Sequence, residues 1–260
     1  MSDPAAPSPR NLSDAHTGRP GLDGRKAIIT GGTTGIGRAI AVLLASEGVD
    51  VFICGRDPQH LEDGLDRIRE VGKGDGIALD LADPNGVDRF AEAAKAYFGA
   101  YDIAIINAAI PAAGLSKMSA AELRYAIATD FTAYLTTAHA AMEVLKDDGD
   151  MIFVGSVSAH QLSGEGSVYA GMKAGVAAFA EALRKELAPR GIKVGFVEPA
   201  KTGADFQYSS FTAEEQAGEI RKEAMLRAED IAVGVHYMLT QPRRTVVQQV
   251  VIAPRMQDGE

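Results

Sequence analysis

Ala27-Ile28-Ile29-Thr30-Gly31-Gly32-Thr33-Thr34-Gly35-Ile36-Gly37 is the stretch that decides the fold. A short apolar strand, Ala27 to Thr30, runs into a loop in which glycine recurs. Ile36, Ala39, Ile40, Leu43 and Leu44 then share one face of a helix over Ile36 to Ser46, which Gly48 ends. Strand, glycine turn and helix in that order let backbone amides approach phosphate oxygens, with the positive end of the helix dipole aimed at them. Gly31, Gly35 and Gly37 stand where such an approach needs them, and Thr30, Thr33, Thr34 and Ile36 complete the loop. An ordinary tight turn is the competing account of the glycines alone; the flanking strand and helix weigh against it.

Outward from this unit, apolar runs alternate with amphipathic ones, the pattern of a parallel sheet with helical crossovers. Further strands are expected at Val49 to Cys54, Ile77 to Leu79, Ile103 to Ile106, Met151 to Val154, Ile192 to Val197 and Val246 to Ile252. Helices are expected from Pro58, from Asp83-Pro84 through Tyr97, over Ser119 to Leu145 as one long or slightly broken helix, and over Ser167 to Ala188 and Ala228 to Leu239. Seven strands with interleaved helices describe a doubly wound, Rossmann-type α/β fold with helices on both faces. Residues 1–22, rich in proline and small polar residues, are expected to form a disordered tail. Residues 23–260 then make one domain, with a polar lid at about 201–226.

With 260 residues, 46% of them hydrophobic, the chain can bury a substantial core. Its formal charge of -9 argues against a nucleic-acid partner. The single cysteine, Cys54, allows no intrachain disulfide and reads as a buried thiol. No apolar stretch reaches the ~20 residues of a membrane helix, and the N-terminus lacks a signal-peptide core. A cytoplasmic protein without membrane contact is the expectation. No spacing of Cys, His and carboxylates suggests a metal.

The second strand ends Cys54-Gly55-Arg56. A carboxylate there would suit the ribose hydroxyls of NAD; Gly55 instead leaves room, and Arg56 offers a planar fork for a 2′-phosphate. NADP is favoured over NAD. Asp80, after the third strand and before Leu81, suits either an adenine amino group or a turn. Asn107-Ala108-Ala109 closes the fourth strand with side chains small enough for a ribose to pack on the backbone; Asn107 alternatively braces the sheet.

Tyr169 and Lys173, four residues apart, share a helix face. A nearby ammonium and a positive nicotinamide ring would favour the phenolate and lower the tyrosine pKa from its usual ~10. The phenol could then give a proton to a carbonyl oxygen or take one from an alcohol. Ser156, at a strand's carboxyl end, could hydrogen-bond the same oxygen. Each residue alone has a plain structural reading. All three at this spacing, downstream of a nucleotide loop, point to hydride-transfer chemistry.

Through Thr30-Gly31-(x3)-Gly35-Ile36-Gly37, Asp80-Leu81, Asn107-Ala108-Ala109, Ser156, Tyr169-(x3)-Lys173 and the Pro199 turn, the chain resembles the short-chain dehydrogenase/reductase family from about Lys26 to Ile252. The resemblance implies an NAD(P)-dependent enzyme interconverting a ketone or aldehyde and an alcohol on a small or medium organic substrate. It implies that Lys173 also binds the nicotinamide ribose, and that the chain forms a homodimer or homotetramer. Asp130 falls where the family usually has an asparagine in a proton relay towards the lysine. An aspartate keeps the acceptors, loses the NH₂ donors, and could tune that relay. Pro199-Ala200 replaces a usual Pro-Gly, and Thr202 is assigned to the nicotinamide amide. Expected substrate residues are His160, Gln161 and Glu165, with Phe206 in a lid that also carries Tyr208, Phe211 and Met225. The competing function is a dinucleotide-binding regulator or scaffold of the same fold; a third is an epimerase or dehydratase.

Overall fold

The computed structural model describes residues 19–204 and 210–256. Strands β1 (Lys26–Thr30), β2 (Asp50–Gly55), β3 (Lys73–Ala78), β4 (Tyr101–Ile106), β5 (Leu145–Val154), β6 (Lys193–Pro199) and β9 (Gln249–Ile252) form one parallel sheet in the order β3-β2-β1-β4-β5-β6-β9. Helices α3 (Gly86–Phe98), α5 (Ala133–Val144) and α6 (Ser167–Leu187) cover one face, packing Phe90, Tyr134 and Val176 against Phe52, Ile106 and Phe153. Helices α1 (Gly35–Ser46), α2 (Pro58–Arg69) and α8 (Ala228–Leu239) cover the other, packing Ile40, Ile68 and Val235 against Ile29, Ile53 and Ile105. Strand residues alternate between these two cores, so the sheet is apolar on both faces. A short pair, β7 (Thr202–Gly203) with β8 (Leu226–Arg227), brackets α7 (Ala213–Arg221). No helix among the described residues is long and apolar enough to cross a membrane.

The doubly wound expectation holds, with local corrections. β3 is twice the expected Ile77–Leu79 and begins at Lys73. Gly74 and Gly76 hide it from an apolar pattern: a Cβ there would come 2.7 Å from Ile68 Cγ2 and 2.6 Å from Ile53 O, so pairing with β2 selects glycine. The helix expected from Asp83-Pro84 starts at Gly86, because Asp83 closes a turn through its carbonyl to the Gly86 N–H. The helix expected over Ser119 to Leu145 is capped by Ser119 and divided into α4 (Ala120–Ile127), a π-helical turn (Ala128–Thr132) and α5. Leu145 already belongs to β5, opposite Tyr101. The expected tail, residues 1–22, falls mostly outside the described residues. Leu22, its last residue, is buried in the core with Ile29 and Val49, so order begins before Lys26.

At the end of the sheet away from the strand C-termini, buried Asp150 meets Arg25 at 2.6 Å, Arg243 at 3.0 Å and Lys193 at 3.4 Å. One carboxylate thus ties the entry to β1, the start of β6 and the loop before β9. Asp150→Ala would leave three cations facing one another. It is expected to lower unfolding free energy by about 3 kcal/mol, read from urea midpoints. Ligand affinity of the folded protein should stay within about twofold, since the clamp lies across the sheet from the cleft.

Candidate active site

Strand order reverses between β1 and β4, and a crevice opens at the carboxyl ends of the strands there, as the geometry of open parallel sheets requires. The crevice is a cleft of about 920 Å³ running from the Gly31–Ile36 loop to Tyr169. Thr33, Thr34, Arg56, Asp80, Leu81, Asn107, Ala108, Ala109, Ser156, Lys173, Pro199 and Thr202 also line it. Sequence-expected residues from both halves of the chain therefore share one cavity.

The floor depends on missing side chains. Gly31 has φ +63°, and a Cβ on it would stand 2.8 Å from the Ala108 Cα. Gly35 has φ +52°. Gly37 does not line the cleft: a Cβ there would lie 2.1 Å from the Gly31 carbonyl oxygen, so this glycine seats α1 against the loop. Thr30 is buried beneath, its Oγ1 accepting from the N–H groups of Asn107 and Ala108 at 2.8 and 3.1 Å. The Asn107 amide donates back to the Thr30 and Gly31 carbonyls at 3.0 and 3.3 Å, the bracing role the sequence left open. Thr34 precedes α1 and its side chain makes no capping hydrogen bond to the first turn of a helix aimed at the cleft.

At the outer end, Arg56 Nη1 donates to the Tyr125 hydroxyl at 2.6 Å, and that hydroxyl donates to Asp80 Oδ2 at 2.5 Å. Asp80 Oδ1 accepts from the Ala82 N–H at 2.9 Å, so the carboxylate shapes its turn while facing the cavity. Gly55 lines the cavity, and the direction of its missing side chain is filled by Thr33, so the glycine accommodates that threonine. Cys54 is buried and burial pushes its thiol up to about 12, which suits packing and not nucleophilic chemistry.

At the inner end, Ser156 follows β5, and its hydroxyl lies near enough to the Tyr169 phenol of α6 to favour the ionised form. Ser156 Oγ accepts from the Ser158 N–H at 3.2 Å. Lys173, one turn on and 1% exposed, donates through Nζ to the Tyr134 hydroxyl at 3.1 Å and stands 5.5 Å from the Tyr169 ring centre. The π-helical turn points Asp130 inward, fully buried. Asp130 Oδ1 accepts from the Ile110 N–H at 2.8 Å, while Oδ2 makes no hydrogen bond and lies 3.8 Å from Lys173 Nζ. Asp130 is thus a neighbour of the lysine without lining the cleft.

Burial outweighs pairing here. It holds Lys173 below the ordinary lysine range, with Asp130 opposing, and pushes Asp130 up to about 6 against the Lys173 charge and the Ile110 N–H. The sequence reading expected the Tyr169 phenol to be lowered by the ammonium. Instead burial, and then the Asp130 charge, raise it, with the nearby Ser156 hydroxyl opposing. At neutral pH Tyr169 is a protonated phenol.

The expected substrate residues separate. Gln161 lines the cleft. His160 turns towards buried Glu198, Nδ1 to Oε1 at 3.5 Å, and Glu165 pairs with Lys117 at 3.2 Å; neither lines the cavity. Phe206 and Tyr208 lie outside the described residues. From the segment expected as a lid, Lys201, Phe211, Glu219 and Ala224 do line the cavity, Lys201 Nζ standing 4.2 Å over the Phe211 ring. Met225 packs inward. Tyr125 and Tyr134 were not foreseen; the only signal for Tyr134 was its spacing, four residues after Asp130. Among the described residues no group of three or more His, Cys, Asp or Glu is gathered to hold a metal ion.

Residues 25–215 match the family model described as short chain dehydrogenase. A 3-oxoacyl-(acyl-carrier-protein) reductase of Escherichia coli is 33% identical over 211 residues, covering 76% of this chain and 85% of that protein. An uncharacterized oxidoreductase of Staphylococcus aureus is 28% identical over 236 residues, 90% of this chain and 98% of its own length. A solved short chain dehydrogenase from Burkholderia cenocepacia, in complex with NADP, superimposes with a TM-score of 0.80 at 28% identity, covering 90% of this chain and 98% of that one.

A carboxyl whose pKa is higher folded than unfolded holds its proton more tightly when folded. Its stabilisation is complete at low pH and is lost as pH rises through the unfolded and then the folded value. For Asp130 that window runs from about 4 to about 6. Relative to Asp130→Asn, the wild-type chain should lose on the order of 2 kcal/mol across it, measured as urea midpoints at stepped pH. A constant difference between the two chains would show that the carboxyl is not so perturbed.

Proposed function

This chain belongs to the short-chain dehydrogenase family, and from that premise we propose that it is an NADP-preferring carbonyl reductase. Its substrate would be the ketone or aldehyde of a small or medium organic molecule. The observation that carries this reading is the convergence of Ser156, Tyr169 and Lys173 on the cleft that begins at the Gly31 and Gly35 turn.

The residues fit a dinucleotide. Gly31 and Gly35 give a backbone cradle that a Cβ would fill or strain, and α1 offers its N-terminus to a pyrophosphate. Arg56 is exposed at the outer rim, with a guanidinium suited to a 2′-phosphate, and Asp80 lies beside it for the adenine amino group. Ala108 and Ala109 leave backbone for a ribose, and Thr202 lies near the nicotinamide end. When bound, the cofactor supplies the hydride.

The chain's own residues handle oxygen and proton. Ser156 donates to the substrate carbonyl oxygen and steadies its developing charge. Tyr169, a neutral phenol, gives its proton to that oxygen: the phenol O–H breaks as the alcohol O–H forms. Lys173 then faces the phenolate with its positive charge, and its remaining donors would hold the nicotinamide ribose. Asp130 tunes this lysine from 3.8 Å. Reduction is the direction that a preference for NADP favours. Phe211 with Lys201 walls the substrate end, an apolar surface beside one cation, as part of a lid. A cytoplasmic enzyme fits the single buried cysteine. A second copy of the chain would cover the exposed Val233, Tyr237 and Val251 on α8 and β9, as a homodimer or homotetramer.

Purified protein with NADPH and a panel of ketones should consume the reduced cofactor. Tyr169→Phe should lower kcat by about 10³-fold with cofactor affinity retained. Arg56→Ala should weaken NADPH binding about tenfold and leave NADH binding unchanged. Turnover surviving in the tyrosine variant would remove Tyr169 from the chemistry. Equal losses for both cofactors would remove Arg56 from the choice between them.

A further inference from the structure

We infer that Tyr134 is a positioning residue for the proton-transfer step: its phenol oxygen accepts from the Lys173 ammonium and holds that charge beside Tyr169. The inference rests on the carbonyl reduction proposed for the same site.

Tyr134 lies in the first turn of α5 and is 1% exposed. Its Oη is 3.0 Å from the Asn107 carbonyl oxygen and 2.9 Å from that of Val154. Carbonyl oxygens only accept, so the single phenol hydrogen is committed to them. The lone pairs left over face Lys173 Nζ at 3.1 Å. An ammonium only donates, so the contact has one polarity: it favours the charged lysine and gains nothing from a neutral amine's lone pair.

The anchor is rigid. Asn107 follows the end of β4 and Val154 ends β5, the two strands beside the reversal of strand order. Tyr134 therefore ties the lysine head group to the sheet, while its backbone belongs to α6. Without that tie, a lysine with four rotatable bonds would keep no hydrogen bond at its head group, only Asp130 at 3.8 Å and the Tyr134 and Tyr169 ring centres at 4.6 and 5.5 Å. The titratable groups facing Lys173 are Asp130 from the π-helical turn, Tyr134 from α5 and Tyr169 from α6 itself. At the ends of β4 and β5 the polar groups that meet Tyr134 are the Asn107 and Val154 carbonyls. Of these neighbours, Asp130 attracts the ammonium and Tyr134 directs it.

When Tyr169 has passed its proton to the substrate oxygen, the remaining phenolate is stabilised by whatever positive charge is fixed nearby. A lysine less well held, or neutral for more of the time, gives less of that stabilisation. Tyr134→Phe keeps the ring in its packing and removes the hydroxyl, both the acceptor for Lys173 and the donor to the Asn107 and Val154 carbonyls.

The test uses the full chain with ¹⁵N-labelled lysine Nζ, followed by NMR against pH without cofactor, and then turnover with NADPH. In Tyr134→Phe the Lys173 midpoint should fall below that of wild type. The kcat should drop about tenfold, its pH profile should change, and NADPH affinity should stay within about threefold. Should the phenylalanine variant fail to fold, 3-fluorotyrosine at position 134 keeps the shape with a weaker acceptor. It should move the midpoint the same way by less. A folded variant whose Lys173 midpoint is unchanged overturns the inference. A protein that reduces no carbonyl, yet shows the fall in midpoint, would keep the hold of Tyr134 on Lys173 and overturn the reaction assigned to the site.

Discussion

The close approach of β1 to β4 governs the site. Where β1 ends, Thr30 Oγ1 takes the N–H groups of Asn107 and Ala108, and the Asn107 amide returns bonds to the Thr30 and Gly31 carbonyls. Gly31 can sit against the Ala108 backbone only because it has no side chain. These contacts join the loop before α1 to the end of β4 at the point where strand order reverses. The cleft therefore has a stiff backbone floor, and the side chains that face it come from walls set on either side.

From that floor the structure reaches the lysine by a second route. Asn107 also presents its carbonyl to Tyr134, and Tyr134 presents its oxygen to Lys173. The glycine loop and Lys173, far apart in sequence, are thus three hydrogen bonds from each other. The price of this arrangement is a buried cation and a buried carboxylate that do not hydrogen-bond each other. Neither is fully compensated, as the upward displacement of Asp130 and the downward displacement of Lys173 both indicate. Incomplete pairing leaves the lysine with charge directed towards the cleft, which a direct salt bridge to Asp130 would have absorbed.

What could be read in the chain follows from how much chemistry a residue advertises. Glycines at a strand–helix junction, a Tyr and Lys one turn apart, and an arginine at a strand end have few other uses in combination, and the cleft gathers them. The strand before Ala78 escaped notice because its pairing selects glycine, which carries no apolar signal. Tyr134 and Tyr125 escaped because an aromatic residue on an amphipathic helix looks like core until its hydroxyl has partners. His160 and Glu165 looked like pocket residues because loops near a site often hold them. Long-range partners, Glu198 and Lys117, draw them elsewhere. The π-helical turn at Asp130 has no local sequence cue; it adds a residue to one turn and so rotates that carboxylate into the interior.

Two of the cations of the cleft, Arg56 and Lys173, are held by opposite means, and the contrast separates their proposed tasks. Arg56 is exposed, joined to Asp80 only through the Tyr125 hydroxyl, and surrounded by water that weakens every charge nearby. A cation in that setting can exchange one anionic partner for another at little cost, which suits recognition of a phosphate that comes and goes. Lys173 is buried, its head group set by a phenol whose own proton is pinned to the sheet. In a dry site a fixed charge acts strongly over a few ångströms and need not reorganise as a neighbouring phenol ionises. Exchanging the two settings would defeat both tasks: a buried Arg56 would hold its counter-ion too firmly to release it, and an exposed Lys173 would be screened from the proton it is proposed to control.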